Sequence, residues 1–459
     1  MADPLIHHIR RTLALGLPLV GSQVAQVLIG LTDTLMLGRY SVEALAAATL
    51  GSSYFFSIFI LGSGFAYAVM PMAASAATEG DEAQVRRVAR MGLWLSLLYA
   101  VAVMPLFIWS EPILLNLGQV DSVARDAETY LQIAGWGIIP YLMMATLRSH
   151  LSALERTRIV LWATLLAVAV NVVLNWLLIF GNLGFPELGL RGAAIASVVV
   201  QTVAGLVLAI YAARGPDMAR FDLWKNPHRP DWPAFGQIFR LGWPIGLTHL
   251  SESGLFAASA VMMGWLGTVP LAAHGIAIQI AALTFMVHLG LSSAATVRVG
   301  QAWTKHDPEQ LKRAAWAATI LSGVAVLLAV ALYFGAGPWI IGQFIDADDP
   351  KAPEILALGV MLLAYAALFQ TVDAGQVMAL GCLRGLQDTR IPMIYAIVCY
   401  WALGIPASYM LGFTLGLGAA GIWLGLTVGL AAVSVVLAAR FVRMIKSLHG
   451  EAHAAPAGG

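Results

Sequence analysis

Two apolar stretches, 226 positions apart, carry the same punctuation. The first opens on Leu15-Gly16-Leu17-Pro18, passes Met36-Leu37-Gly38 and Leu45-Ala46-Ala47-Ala48, and ends in Asp81 and Arg86-Arg87. The second repeats that outline as Leu241-Gly242-Trp243-Pro244, Met262-Met263-Gly264, Leu271-Ala272-Ala273-His274, Asp307 and Lys312-Arg313. No gap is needed across about eighty residues, so the chain reads as a unit of roughly half its length, present twice. Its function must lie within or between two related halves.

Hydrophobic residues make up 59% of the chain and charged residues only 11%, against about 25% charged in a soluble domain. A globule of that composition could not cover its surface with polar groups. The charges fall in short clusters, and the apolar runs between them reach the roughly 20 residues that cross a bilayer. The composition therefore predicts an all-α integral membrane protein. The net charge of +1 gives no argument for a nucleic-acid partner. Cys382 and Cys399 are too few for a disulfide framework or a metal cluster, and no cofactor is expected. Arg10-Arg11 leads into a span-length run rather than a short cleavable one, so the first span is expected to stay.

Charges and Gly/Pro punctuation divide the chain into twelve spans, near 12–37, 44–77, 88–109, 127–152, 159–181, 190–213, 237–264, 271–299, 314–337, 354–382, 391–411 and 417–442. Pro18 and Pro244, at matching places, are the predicted kinks. With the amino terminus in the cytoplasm, 22 of the 26 Lys and Arg residues fall inside, and only Arg39, Arg125, Arg191 and Lys351 fall outside. That bias predicts two cytoplasmic termini. The stretch 214–235, rich in Pro and charge, reads as a semi-rigid cytoplasmic linker between an amino-terminal lobe (1–213) and a carboxyl-terminal lobe (236–459). Six spans per half is even, so the two six-helix lobes are expected to be related by a pseudo-twofold axis along the membrane normal. The turns after the fourth span of each half echo too. Leu154-Glu155-Arg156-Thr157-Arg158-Ile159 matches Leu386-Gln387-Asp388-Thr389-Arg390-Ile391 at an offset of 232.

An ionisable residue deep in a span costs on the order of 2.5–3.5 kcal/mol on insertion scales, so each needs a reason. Asp33 lies in span one, after Gln23 and Gln26; its alternative reading is an outer-end acid reaching for water. Glu252 lies near the middle of span seven with His249 three positions earlier on the same face; its alternative is a protonated structural glutamate. Asp373 in span ten is flanked by Gln370 and Gln376, a polar stripe that must face protein or water. Asn171 and Asn175 project from one face of span five, as interhelical glue or as carbonyl ligands that would suit sodium beside a carboxylate. Gly421, Gly425 and Gly429 form a stripe for close helix packing. His274 and His288 read as packing histidines.

With twelve spans, a six-plus-six duplication and these acids, the chain resembles the MATE (multidrug and toxic compound extrusion) family of transporters, in its bacterial NorM-like branch. The resemblance covers nearly the whole chain. It rests on Leu17-Pro18, Asp33-Thr34, the run from Asn171 to Asn175, Glu252, Asp373 and Gly381-Cys382-Leu383-Arg384-Gly385. It implies a V-shaped, alternating-access antiporter in the bacterial inner membrane, acting as a monomer on small-molecule drugs and toxic compounds. Asp33, Asn171 and Asn175 match the family's amino-lobe cation and proton site, and Glu252 with Asp373 the carboxyl-lobe cation site. Na+ is a candidate ion at either set. Gln23, Gln26, Gln370 and Gln376 are candidate cavity residues. Phe369, not a hydroxyl-bearing residue, stands one turn before Asp373.

The nearest rival is a lipid-linked substrate flippase of the same superfamily, which should carry deep cations rather than deep acids. No His-Glu-x-x-His, Gly-x-Ser-x-Gly or phosphate-loop pattern supports an embedded enzyme. A passive channel would conduct without coupling.

Overall fold

A chain in hydrocarbon must satisfy its backbone N–H and C=O groups internally, and a helix does so within one segment. A computed structural model describes residues 5–346 and 349–454, with side chains as far as Ser447. The predicted tail beyond 454 lies outside the described residues. Among those described, every regular element is helical. The spans are α1 (Leu5–Tyr40), α2 (Val42–Glu79), α3 (Glu82–Ile108), α4 (Asp121–Ala153), α5 (Thr157–Leu178), α6 (Leu190–Arg214), α7 (Trp232–Leu266), α8 (Thr268–Thr304), α9 (Pro308–Gly342), α10 (Ala352–Gly385), α11 (Arg390–Thr414) and α12 (Gly418–Ala454). Each predicted span maps onto one of these helices. Most run further than predicted, and the side chains of Ser41, Asp81 and Asp307 cap three of them beyond the apolar run.

Eleven of the twelve are long and apolar enough to cross a membrane by composition. The exception is α7, which at 35 residues has the length but carries Thr248, His249, Ser251, Glu252 and Ser253 in its middle. The span with the weakest hydropathy is the one that holds a candidate site acid. This is an all-α integral membrane protein of twelve spans in two homologous units.

The duplication persists in the backbone. Asp81 and Asp307, equal positions at the offset of 226, both cap helices: Gln84 N donates to Asp81 Oδ1 at 2.8 Å and Gln310 N to Asp307 Oδ1 at 2.9 Å. The residues just before them, Gly80 and His306, are both left-handed, at φ 77° and 52°. Glu155 and Gln387, paired by the offset of 232, share that conformation at φ 61° and 59°. Two side chains as different as glutamate and histidine adopt it because the turn, not the residue, requires it.

The chain divides into two compact units. One comprises Gly21–Leu247, the amino unit; the other joins Met1–Val20 to Thr248–Gly459, the carboxyl unit. The boundaries fall inside α1 and α7, within one turn of Pro18 and Pro244. The first helix of each half therefore starts in the opposite unit and crosses at its proline.

Glycine makes each start possible. In the amino unit a methyl on Gly64 of α2 would strike the Gly242 carbonyl and the Gly246 amide of α7, and one on Gly246 would strike the Leu61 carbonyl. In the carboxyl unit a methyl on Gly290 of α8 would meet the Val20 backbone at 2.6 Å. Gly64 and Gly290 are the same position in the repeat.

The predicted linker is seated rather than free. Met218, Phe221 and Leu223 are buried in the amino unit. Arg86 donates to the carbonyl of Phe221, Arg90 to those of Lys225 and Asn226, and Trp94 Nε1 to that of Pro227 at 2.8 Å. The glycine stripe of α12 packs as predicted: Gly421, Gly425 and Gly429 face the backbone of Leu411, Ser408 and Gly404 in α11. There α11 widens into π-helical turns at Cys399–Gly404 and Met410–Thr414, on either side of Pro406.

Gly64→Leu should destabilise the protein by about 2–3 kcal/mol through overpacking against backbone, read as a lower midpoint of thermal unfolding in detergent. Gly275→Leu, where a methyl meets nothing, is the control; equal midpoints for the two variants would contradict this packing.

Candidate functional site

In the amino unit α1, α5 and α6 converge on Asp33. Asn171 Nδ2 donates to Asp33 Oδ1 at 2.8 Å, Asn175 Nδ2 to the same oxygen at 2.5 Å, and Ser197 Oγ to Oδ2 at 3.5 Å. Both asparagines are fully buried, and their carbonyl oxygens have no partner among the described residues. A buried acceptor left unpaired costs about 1–3 kcal/mol. A carboxylate held by three donors thus sits beside two carbonyls that no group among the described residues satisfies. The i, i+4 spacing of the asparagines produces this geometry, as the sequence predicts. Tyr130 of α4, absent from the sequence reading, reaches Ser52 at 3.3 Å and also Ser197.

Gln23 and Gln26 lie further along α1, bonded within the unit. Arg148 Nη1 donates to Gln23 Oε1 at 3.0 Å, and Gln26 Nε2 to the Tyr141 hydroxyl at 2.7 Å. The offset of 226 carries Gln23 to His249 and Gln26 to Glu252, and the offset of 232 carries Tyr141 to Asp373. Arg384 Nη2 lies 3.0 Å from His249 Nε2, and Gln376 Nε2 donates to Glu252 Oε1 at 2.7 Å. The two units thus make similar contacts from unequal positions of the repeat: Arg148 falls on Leu380, and the partner of Glu252 is Gln376 rather than Asp373. The halves differ in where they put acids. Asp33 corresponds to Ser259, which pairs with His274 at 3.3 Å, while Glu252 corresponds to the neutral Gln26.

In the carboxyl unit Glu252 and Asp373 are buried and feel one another's charge. His249 Nδ1 stands 3.9 Å from Glu252 Oε2. Around Asp373 the polar atoms lack partners among the described residues: its own Oδ1, Gln376 Oε1, both amide atoms of Gln370 and the Tyr400 hydroxyl. Tyr400, 0% exposed on the first wide turn of α11, lies within electrostatic reach of both acids. No sequence signal marks it, because only the widened turn decides where it points. Phe369 packs edge-on against Phe256 and Trp423 and supplies no polar atom. His288 bonds Ser322 at 2.8 Å, as a packing histidine would.

Among the described residues no three His, Cys, Asp or Glu side chains gather to hold a metal ion, and both cysteines are free and buried. The two acid sites instead offer carboxylates with amide and hydroxyl oxygens, a donor set for a hard monovalent cation or a proton rather than a transition metal.

The MatE family profile matches residues 18–177 and 244–410, once in each half. A probable multidrug resistance protein NorM of Rhizobium meliloti is 45% identical over 96% of this chain and 94% of its own. Its counterpart from Agrobacterium fabrum is 41% identical over the same shares. Among solved structures, a MATE in complex with MaL6 superposes with a TM-score of 0.88 at 22% identity, covering 96% of this chain and 97% of that one. The eukaryotic MATE transporter AtDTX14 gives 0.86 at 19%, covering 98% and 100%. A superfamily transporter from Pyrococcus furiosus, described as having a binding pocket of reverse polarity, gives 0.87 at 22%, covering 96% and 97%. At those identities the structures establish the fold, and the profile with the curated relatives establishes the kinship. The chain belongs to the MATE family of membrane transporters, and it is a transporter rather than an enzyme.

Proposed function

We propose that the chain is a secondary active multidrug efflux transporter that exchanges Na+ or H+ for apolar, often cationic compounds by alternating access. The observation that carries this reading is the pair of acid sites, each with buried oxygen acceptors that no group among the described residues satisfies. Such a site is stable when a cation or proton occupies it and strained when it is empty, so occupancy biases the conformation. Asp33, Asn171 and Asn175 form one coupling site, and Glu252 with Asp373 the other. Gln23, Gln26, Gln370 and Gln376 are assigned to the same polar surfaces. Entry of one charge along a membrane potential is worth about 2.3 kcal/mol per 100 mV, enough for a substrate ratio of some tens before the ion's own gradient is counted. The deep acids favour efflux of cationic compounds over handling of a lipid-linked pyrophosphate.

The protein is placed in the bacterial inner membrane as a monomer in the lipid bilayer, with both termini cytoplasmic and the seated linker on the same side. A fluorescent protein fused to the carboxyl terminus should fluoresce, whereas alkaline phosphatase there should be inactive; the reverse result would overturn this orientation.

Asp373→Asn should reduce dye efflux from proteoliposomes by at least about tenfold while the protein stays folded, and Asp33→Asn should reduce it as well. Full efflux in both variants would refute ion coupling through these acids. Imposing sodium and proton gradients separately identifies the ion; efflux driven by neither would refute antiport.

A further inference from the structure

The two acids of the carboxyl unit stand in opposite surroundings. A guanidinium can only donate hydrogen bonds. Arg384, 3.0 Å from His249 Nε2, therefore makes that nitrogen the acceptor. The ring proton must then sit on Nδ1, the nitrogen that faces Glu252 Oε2 at 3.9 Å. The other oxygen, Oε1, already receives the Gln376 amide at 2.7 Å. Both oxygens of Glu252 are thus turned towards N–H donors, with a buried guanidinium behind one of them.

Asp373 has the reverse environment. Its Oδ1 has no partner among the described residues, and Gln376 turns the same amide's Oε1, also unpartnered, away from its bond to Glu252. Gln370 stands one turn along α10 and Tyr400 on α11, each with polar atoms unpartnered and no exposure. A cation needs oxygen lone pairs and is repelled by N–H donors. Asp373 Oδ1 and the Gln370 and Gln376 amide oxygens carry lone pairs left open among the described residues, whereas Glu252 Oε1 is already taken by an N–H donor.

We propose that His249, held by Arg384 as its Nδ1–H tautomer, is a positioning residue that commits Glu252 to the role of fixed counter-charge and leaves Asp373 as the acid that exchanges the transported ion. The assignment rests on the coupling reading given above. It separates two carboxylates that the sequence presents as equivalent, and it adds His249 and Arg384 to the working parts of the site. A glutamine at 249 could preserve the arrangement, since its amide both accepts and donates; a phenylalanine of similar shape could do neither.

Charge movement on solid-supported membranes tests this in an Asp33→Asn background, which removes the acid of the amino unit. Sodium jumps at constant pH and pH jumps without sodium are applied to proteoliposomes. Whichever ion evokes the transient, Asp373→Asn is expected to abolish it, while Glu252→Gln, which removes the counter-charge, keeps it with a half-saturation shifted by roughly tenfold or more. His249→Phe should shift the half-saturation in the same direction and by no more than Glu252→Gln does, since it acts through that carboxylate. His249→Gln should stay near the parent. The proposal is overturned if Glu252→Gln is as silent as Asp373→Asn, if His249→Phe and His249→Gln behave alike, or if neither ion evokes a transient in the parent. Dye efflux from the same vesicles keeps the two ideas apart: efflux by Asp373→Asn would defeat the antiport reading, whereas the ion transients alone decide the role of His249.

Discussion

Backbone lying on backbone without a side chain between is the contact on which this architecture depends. At Gly64, Gly242 and Gly246 in the amino unit, and at Gly290 against Val20 in the carboxyl unit, any Cβ would collide with main-chain atoms. In lipid there is no hydrophobic force between helices, so association comes from such close packing and from polar contacts. These glycines let the first helix of each half begin inside the opposite unit. Pro18 and Pro244 lie within one turn of where each helix passes to its own unit.

Polar groups follow the same economy. The amino unit gives its acid two asparagines as donors and leaves their carbonyls open; the carboxyl unit gives one acid N–H donors and surrounds the other with open oxygens. An arginine reaches the corresponding positions Gln23 and His249 in both units, but from unequal places, Arg148 and Arg384. What diverged is the placement of charge: aspartate at 33 but serine at 259, glutamine at 26 but glutamate at 252. Two copies of one scaffold thus came to hold unlike acid sites.

Much of this was legible in the chain itself. The spacing of Asn171 and Asn175 fixed their common face, and the cost of placing Asp33, Glu252 and Asp373 in spans marked them as candidate sites. Three kinds of feature stayed hidden. Tyr130 and Ser197 join the Asp33 site from helices distant in sequence, and no local pattern connects them to it. Tyr400 owes its direction to a widened turn beside Pro406, which a count of 3.6 residues per turn misplaces. Arg384 reads as one more charge at a helix end, yet it is buried on His249. The stretch 214–235 reads as a linker from its prolines, whereas α3 binds its carbonyls at Phe221 and Pro227.

By itself the sequence determined the class, the span count, the duplication and the acids, since each follows from local composition: apolar runs need lipid, repeated punctuation needs a repeated turn, and a buried charge needs a partner. Tertiary structure alone decided which partner each acid found and which unit each half of α1 and α7 joined. Those outcomes depend on which side chains from separate helices approach within hydrogen-bonding distance and on where two backbones can touch, and neither is written along a single segment.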